Sequence, residues 1–211
     1  PESSERVLIE NCLFRTGDDA VAIKSGRDAD GRRVGRPSRQ IVIRRCQFQS
    51  ECNGLCIGSE MSGGVEEVFM DSVAIGHVKN ALLFKSNKDR GGYIRNVWVR
   101  NITVDETAGA VLRFENNYFG YRGGNFPSHY ADFHIYNVHA NRCGSFAIYC
   151  DGLPEMPMER ITVDSLVVDS AALPHYLYNT HECTFRRTWV NGEKLAETLP
   201  ESETRQSCDV W

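Results

Sequence analysis

The chain has 211 residues, 41% of them hydrophobic and 25% charged, with a formal net charge of −4. That is enough apolar material for one sizeable core. The charge argues against a nucleic-acid surface, and no apolar run approaches the roughly 20 residues of a membrane helix. Eight cysteines invite a metal reading, but Cys52 and Cys56 have three residues between them and no second Cys/His pair sits at zinc spacing. Neither a metal nor another cofactor is expected.

The chain opens on Pro1-Glu2-Ser3-Ser4 and enters a strand at once. A strand pattern then recurs, starting at Val7, Ile41, Val68, Val97, Phe133 and Ile161, with a degenerate copy near Phe185. Successive starts lie 34, 27, 29, 36 and 28 residues apart. Each of the first five is followed, 13 residues after its start, by a second short strand, at Ala20, Gly54, Ala81, Ala110 and Phe146. The constant offset confines length variation to the loops after the second strand. Short Val/Ile-rich strands without helical periodicity argue for an all-β chain, and a repeat of this length argues for a solenoid. Together they predict a single-stranded parallel β-helix over residues 1–188, with 189–211 forming a capping turn and a C-terminal tail. Equivalent residues of neighbouring coils then stack about 4.8 Å apart.

Stacking makes columns. Cys12, Cys46, Val73, Ile102, Val138 and Leu166 form an apolar one, which predicts Cys12 and Cys46 to be stacked, buried thiols. Beside it runs a polar column, Asn11, Arg45, Ser72, Asn101, Asn137 and Ser165, suited to a turn. One place earlier stand Glu10, Arg44, Asp71, Arg100, Tyr136 and Asp164, mostly alternating in sign, as on an exposed face with cross-coil pairs. Arg27 to Ser38 reads as a polar, Gly-rich loop. Glu115 to Tyr130 is a loop dense in aromatics (Tyr118, Phe119, Tyr121, Phe126, Tyr130), either a hydrophobic plug or a wall for sugar stacking.

The chemistry sits on the second strands. Aligned by the offset, Asp18-Asp19 stacks on Cys52-Asn53 and on Lys79-Asn80, and Lys24 stacks on Gly58 and Lys85. An isolated Asp-Asp is more often a turn cap or a calcium ligand. Here two carboxylates, an amide and lysines converge, which suits proton transfer on an acidic sugar whose own carboxylate needs a cation. Consecutive residues of a regular strand face opposite ways, so Asp18 and Asp19 can share a groove only if Gly17 places them in a bend. The same parity points Leu83 and Lys85 outward. His77 is read as a surface histidine that is also near enough in sequence to reach the groove. Glu60 is read as a turn anchor or a substrate contact, and Arg90 as a turn residue or a substrate cation.

Three blocks in order, Thr16 to Gly26, Gly58 to Val65 and Lys85 to Gly92, resemble the polygalacturonases, glycoside hydrolase family 28. The resemblance covers about residues 1–140. It implies a right-handed parallel β-helix and inverting hydrolysis of α-linked galacturonate or of modified, rhamnogalacturonan-type pectic chains. It implies Asp18 as general acid and Asp19 as a group activating water. Asn53, Lys85, Arg90, Lys24 and Tyr118 are the candidate substrate-binding residues. A pectic oligo- or polysaccharide is the implied partner, with secretion or a periplasmic location. Two departures stand out: Asn53 replaces the family's active-site histidine, and Leu83 replaces its arginine. The family's third aspartate falls just before the segment matching Pro1, so the chain is expected to be the later coils of a longer solenoid. By itself it is expected to be inactive and prone to edge-to-edge association through its first coil. The alternatives are a carbohydrate-binding β-helix without turnover, and a structural solenoid of the phage-fibre type.

Overall fold

The computed structural model describes residues 1–203 and 205, and the remainder of the expected tail lies outside the described residues. Coil one holds β1 (Glu5–Glu10), β2 (Leu13–Thr16) and β3 (Val21–Ile23), followed by a helix, α1 (Asp28–Val34). Coil two holds β4 (Ser38–Arg44), β5 (Gln47–Ser50) and β6 (Asn53–Gly58). Coils three and four are β7 (Val65–Val78) with β8 (Asn80–Lys85), and β9 (Tyr93–Thr107) with β10 (Leu112–Glu115). In coils five and six one bent strand makes the whole circuit, β11 (His129–Asp151) and β12 (Met158–Tyr178). Short strands end the stack: β13 (Thr180–His181), β14 (Thr184–Arg186), β15 (Trp189–Val190) and β16 (Glu193–Lys194). Pairing between coils is parallel, and β15–β16 is an antiparallel pair. The chain is a parallel β-helix.

The first-strand repeat is found in register. Val7, Ile41, Val68, Val97, Phe133 and Ile161 pair in succession, and Phe185 of the degenerate copy pairs with Val163. Each coil, however, has three β walls rather than two. The missed wall stacks Phe14, Phe48, Ile75, Val104, Ala140, Val168 and Val190. Its strands are short, and flanking residues such as Gln47 and Gln49 gave them the look of a turn. The third wall carries Leu55, Leu82, Leu112 and Ile148 inward. Side chains from all three walls fill one core. At its centre the rings of Phe84, Phe114 and Phe133 lie 4.7 to 5.0 Å apart.

Corners have their own chemistry. Arg6, Gln40, Glu67, Asn96, Asp132 and Arg160 make one column of left-handed residues, and Asn11, Arg45, Ser72, Asn101, Asn137 and Ser165 another, with φ between 52° and 62°. Asn tolerates that region better than most residues. The second column is laddered: Asn137 Nδ2 donates to Asn101 Oδ1, and Asn101 Nδ2 to Asp71 Oδ1, both at 2.8 Å. The neighbouring charged column pairs across coils as expected, Arg44 with Glu10 and Arg100 with Asp71.

Four expectations fail locally. Cys46 is buried but Cys12 is exposed, because among the described residues no coil covers the outer side of coil one. Arg27 to Ser38 contains α1, which ends at Gly35 in the left-handed region. Tyr130 belongs to the core, while Phe119, Tyr121 and Phe126 are exposed. The 13-residue offset breaks after coil three: Leu82 pairs with Leu112, not with Val111. One extra residue enters around Ala110, where the amides of Ala81 and Leu82 bond the carbonyls of Ala110 and Val111. It lies in the corner between β9 and β10, where residues 108–111 belong to neither strand.

Candidate active site

Residues 17–20 lie between β2 and β3, outside any strand, so the acidic pair sits in a bend. The Asp18 carbonyl is pinned by two hydroxyls, Thr16 Oγ1 at 2.5 Å and Ser50 Oγ at 2.7 Å. The Asp19 N–H donates to Asp18 Oδ1 at 2.8 Å, and the Ala20 N–H to the Asn53 carbonyl at 2.8 Å. These bonds release the two carboxylates from strand alternation, and both approach the Cys52 thiol. Asp18 is exposed and Asp19 half-buried.

The coils place amides under Asp19. Asn53 Nδ2 donates to Asp19 Oδ1 at 2.6 Å and also approaches Cys52 Sγ at 3.1 Å. Asn80 pairs with Asn53 in register, and its Nδ2 donates to Asn53 Oδ1 at 2.7 Å. Burial alone would raise the Asp19 carboxyl. The Asn53 amide, the Lys85 charge and the Cys56 and Cys52 thiols outweigh it and hold Asp19 below its ordinary value. Asp19 is therefore ionised.

Lys85 stands at the end of β8, in register with Gly58 and Glu115. Its Nζ lies 3.5 Å from Tyr118 Oη and 4.6 Å from the ring centroid. Burial pulls the ammonium down, but the acidic groups facing it, Cys56, Asp19 and Tyr118, leave it above the usual lysine value. Lys85 is a retained cation. Lys24 instead reaches Glu60 Oε2 at 3.1 Å, and Arg27 stands 3.6 Å from the same carboxylate. Arg90 is buried, with Nη1 2.5 Å from Asp28 Oδ1 and Nη2 3.3 Å from Ser59 Oγ. It ties β8's outgoing loop to the start of α1. Leu83 points outward yet is only 4% exposed. His77 pairs with Glu106 at 3.0 Å on the outer surface.

The Asp18, Asp19 and Cys52 donor atoms lie within 4.8 Å of one another. Burial and the Asp19 charge push the Cys52 thiol up to about 11. In that setting the thiol keeps its proton at neutral pH. A depression of about 760 Å³ lies elsewhere, between Glu2, Ser3 and α1, and is lined by none of Asp18, Asp19, Asn53 and Asn80.

A protein-family model, glycosyl hydrolases family 28, matches residues 1–184. The chain belongs to glycosyl hydrolase family 28. A probable polygalacturonase of Vitis vinifera is 30% identical over 82% of the chain and 36% of that protein. An endo-polygalacturonase of Pectobacterium carotovorum subsp. carotovorum is 32% identical over 60% of the chain and 29% of that protein. Among solved structures, a hyperthermoactive exopolygalacturonase from Thermotoga maritima superposes with a TM-score of 0.86 at 33% identity, over 92% of the chain and 44% of that structure. A family 28 exopolygalacturonase of Yersinia enterocolitica shares the fold, with a TM-score of 0.74 at 18% identity over 95% of the chain and 37% of that structure. The chain spans about a third of the length of the curated relatives it matches.

The sequence pointed to Asp18, Asp19, Asn53 and Lys85, and these side chains meet around Asp19, with Tyr118 beside Lys85. Lys24 and Arg90 are engaged in ion pairs at the neighbouring turns. Two neighbours were given no role in the site from the sequence. Cys56 is a buried thiol facing Asp19 and Lys85, and its place in the register with Leu83 was the available signal. Asn80 was placed in the column without a role, and the polar pair Asn53/Asn80 on an otherwise apolar wall was its signal.

Proposed function

We propose that the protein containing this chain is a hydrolase of pectic polysaccharide that cleaves α-linked galacturonate with inversion, using Asp18 as general acid and Asp19 as base. The observation that carries the reading is the unequal pair. Asp19 is held ionised by the Asn53 amide and the Lys85 charge, while Asp18 beside it is exposed to an incoming glycosidic oxygen. Asp19 would take the proton of the attacking water as Asp18 delivers one to the leaving oxygen. Lys85 would receive a uronate carboxylate, with the Tyr118 ring against the sugar. Family membership and the relatives named polygalacturonases support the same reading. It carries with it a secreted or periplasmic location, where such polymers are met; among the described residues no helix is long and apolar enough to cross a membrane.

The test is reducing-sugar release from pectic substrates by the full-length protein and by Asp18→Asn. Release by the parent and a loss of about a thousandfold in the variant are expected. An unchanged rate in the variant, or no release from any pectin, overturns the reading. A second reading, saccharide binding without turnover, draws on Asn53 and Leu83, which stand where the family carries a histidine and an arginine. Saturable binding on a pectic glycan array without products favours it.

A further inference from the structure

We infer that Asn80 is a positioning residue for the proposed reaction: through Asn53, it turns a hydrogen-bond donor toward Asp19. This rests on the pectic-hydrolase reading above and deepens it. At that corner of coil four the Ala110 N–H donates to Asn80 Oδ1 at 2.9 Å. A backbone N–H can only donate, so that oxygen must face Ala110 and Asn80 Nδ2 must face the other way. It meets Asn53 Oδ1 at 2.7 Å, which in turn points Asn53 Nδ2 at Asp19 Oδ1, 2.6 Å away. One fixed donor thus orients two amides, and the row ends on the carboxylate.

An asparagine alone is ambiguous, because either end of its amide fits the same space. If Asn53 were reversed, its oxygen would face Asp19 and repel the charge. Both asparagines are buried, at 2% and 4% exposure, so water does not supply the missing direction. Space also presses on the row: a Cβ on Gly109 would lie 2.5 Å from Asn80 Oδ1. The titratable groups facing Asp19 are Asp18 from its own bend, Cys52 from the turn before β6, Cys56 from β6 and Lys85 from β8. Asn53, the amide next to Asp19, is the one whose direction another side chain sets.

The test uses the full-length protein with Asn80→Ser, Asn53→Ala and the double variant. Serine can still accept from the Ala110 N–H but is too short to reach Asn53, so it separates packing from orientation. The expected result is a kcat/KM on polygalacturonate about tenfold lower near pH 4 and within about twofold near pH 7. The acid limb moves upward because Asp19 loses the donor that favours its charge. In the Asn53→Ala background, Asn80→Ser should add nothing. A second measurement is independent of turnover. Asp19 lies below its ordinary value of 3.8 in the folded chain, so its contribution to stability is present above about pH 4 and lost as pH falls further. The gap in Tm between parent and Asn80→Ser should narrow over that range. A pH-dependent gap in a protein that hydrolyses no pectin supports Asn80 while the activity reading fails. An unmoved acid limb, or equal costs in both backgrounds, together with a pH-independent gap, overturns the role of Asn80.

Discussion

At the scale of the residue, the site works by contrast between neighbours. Asp18 and Asp19 are joined covalently, yet one is exposed and the other is held by an amide and faced by a cation. The contrast comes from the bend at residues 17–20 and from two hydroxyls on the Asp18 carbonyl, which take the pair out of strand alternation. Lys85 is the second asymmetric group, a buried cation whose approach is partly covered by a tyrosine. If it receives a substrate carboxylate, Lys85→Gln should raise KM at least about tenfold with a smaller effect on kcat. An unchanged KM would remove Lys85 from substrate binding. Most of this was legible in the sequence because the first three coils share one offset, so Asp19, Asn53 and Asn80 could be stacked by counting. The engagement of Arg90 was not legible. Its partner Asp28 sits on a helix hidden in a stretch whose glycines and charges read as loop, and only the fold brings residues 62 positions apart together.

At the scale of the element, the strands carry the periodic signal and the corners carry the exceptions. The first wall was readable because its inward residues are Val, Ile, Met and Phe at period two in every coil. The middle wall was not, because four-residue strands such as Leu13–Thr16 offer one or two inward side chains each. The extra residue at Ala110 was hidden for a related reason: the small residues Ala108 and Gly109 before it made a 13-residue count look continuous. Gly58 shows how tightly β6 and β8 approach. Its φ is +97°, and a Cβ there would collide with the Lys85 carbonyl oxygen. Gly58→Ala should therefore destabilise the fold by about 2 kcal/mol or more and displace Lys85. Urea denaturation measures the first effect. A midpoint equal to the parent's would mean that the two strands separate freely.

At the scale of the whole molecule, the chain is a stack in which each coil is sealed by its neighbours. Coil one is sealed on one side only. Strand β1 pairs with β4, and no described residue pairs with its other edge; Leu8 on β1 and Leu13 on β2 are more than half exposed, and Cys12 between them is open to solvent. Unpaired strand edges seek partners. The 211-residue chain should accordingly show a molecular mass that rises with concentration in size-exclusion chromatography with light scattering. A constant monomer mass over a hundredfold range would show that Glu5, Arg6 and Glu10 along β1 protect the edge. At the other end, the antiparallel β15–β16 pair and the ion pair between Arg205 and buried Asp151 close the stack among the described residues.

The odd residue at Ala110 has a further effect on any hybrid built from this chain. Upstream of it, windings could be exchanged with those of a relative by simple counting. Coils four and five share it, and coil six drops a residue again between Cys143 and Phe146. A chimera in which coil four lost the supernumerary residue would set its third wall half a period out of step with coil five, and would strip the Asn80 amide of its anchor at the same stroke.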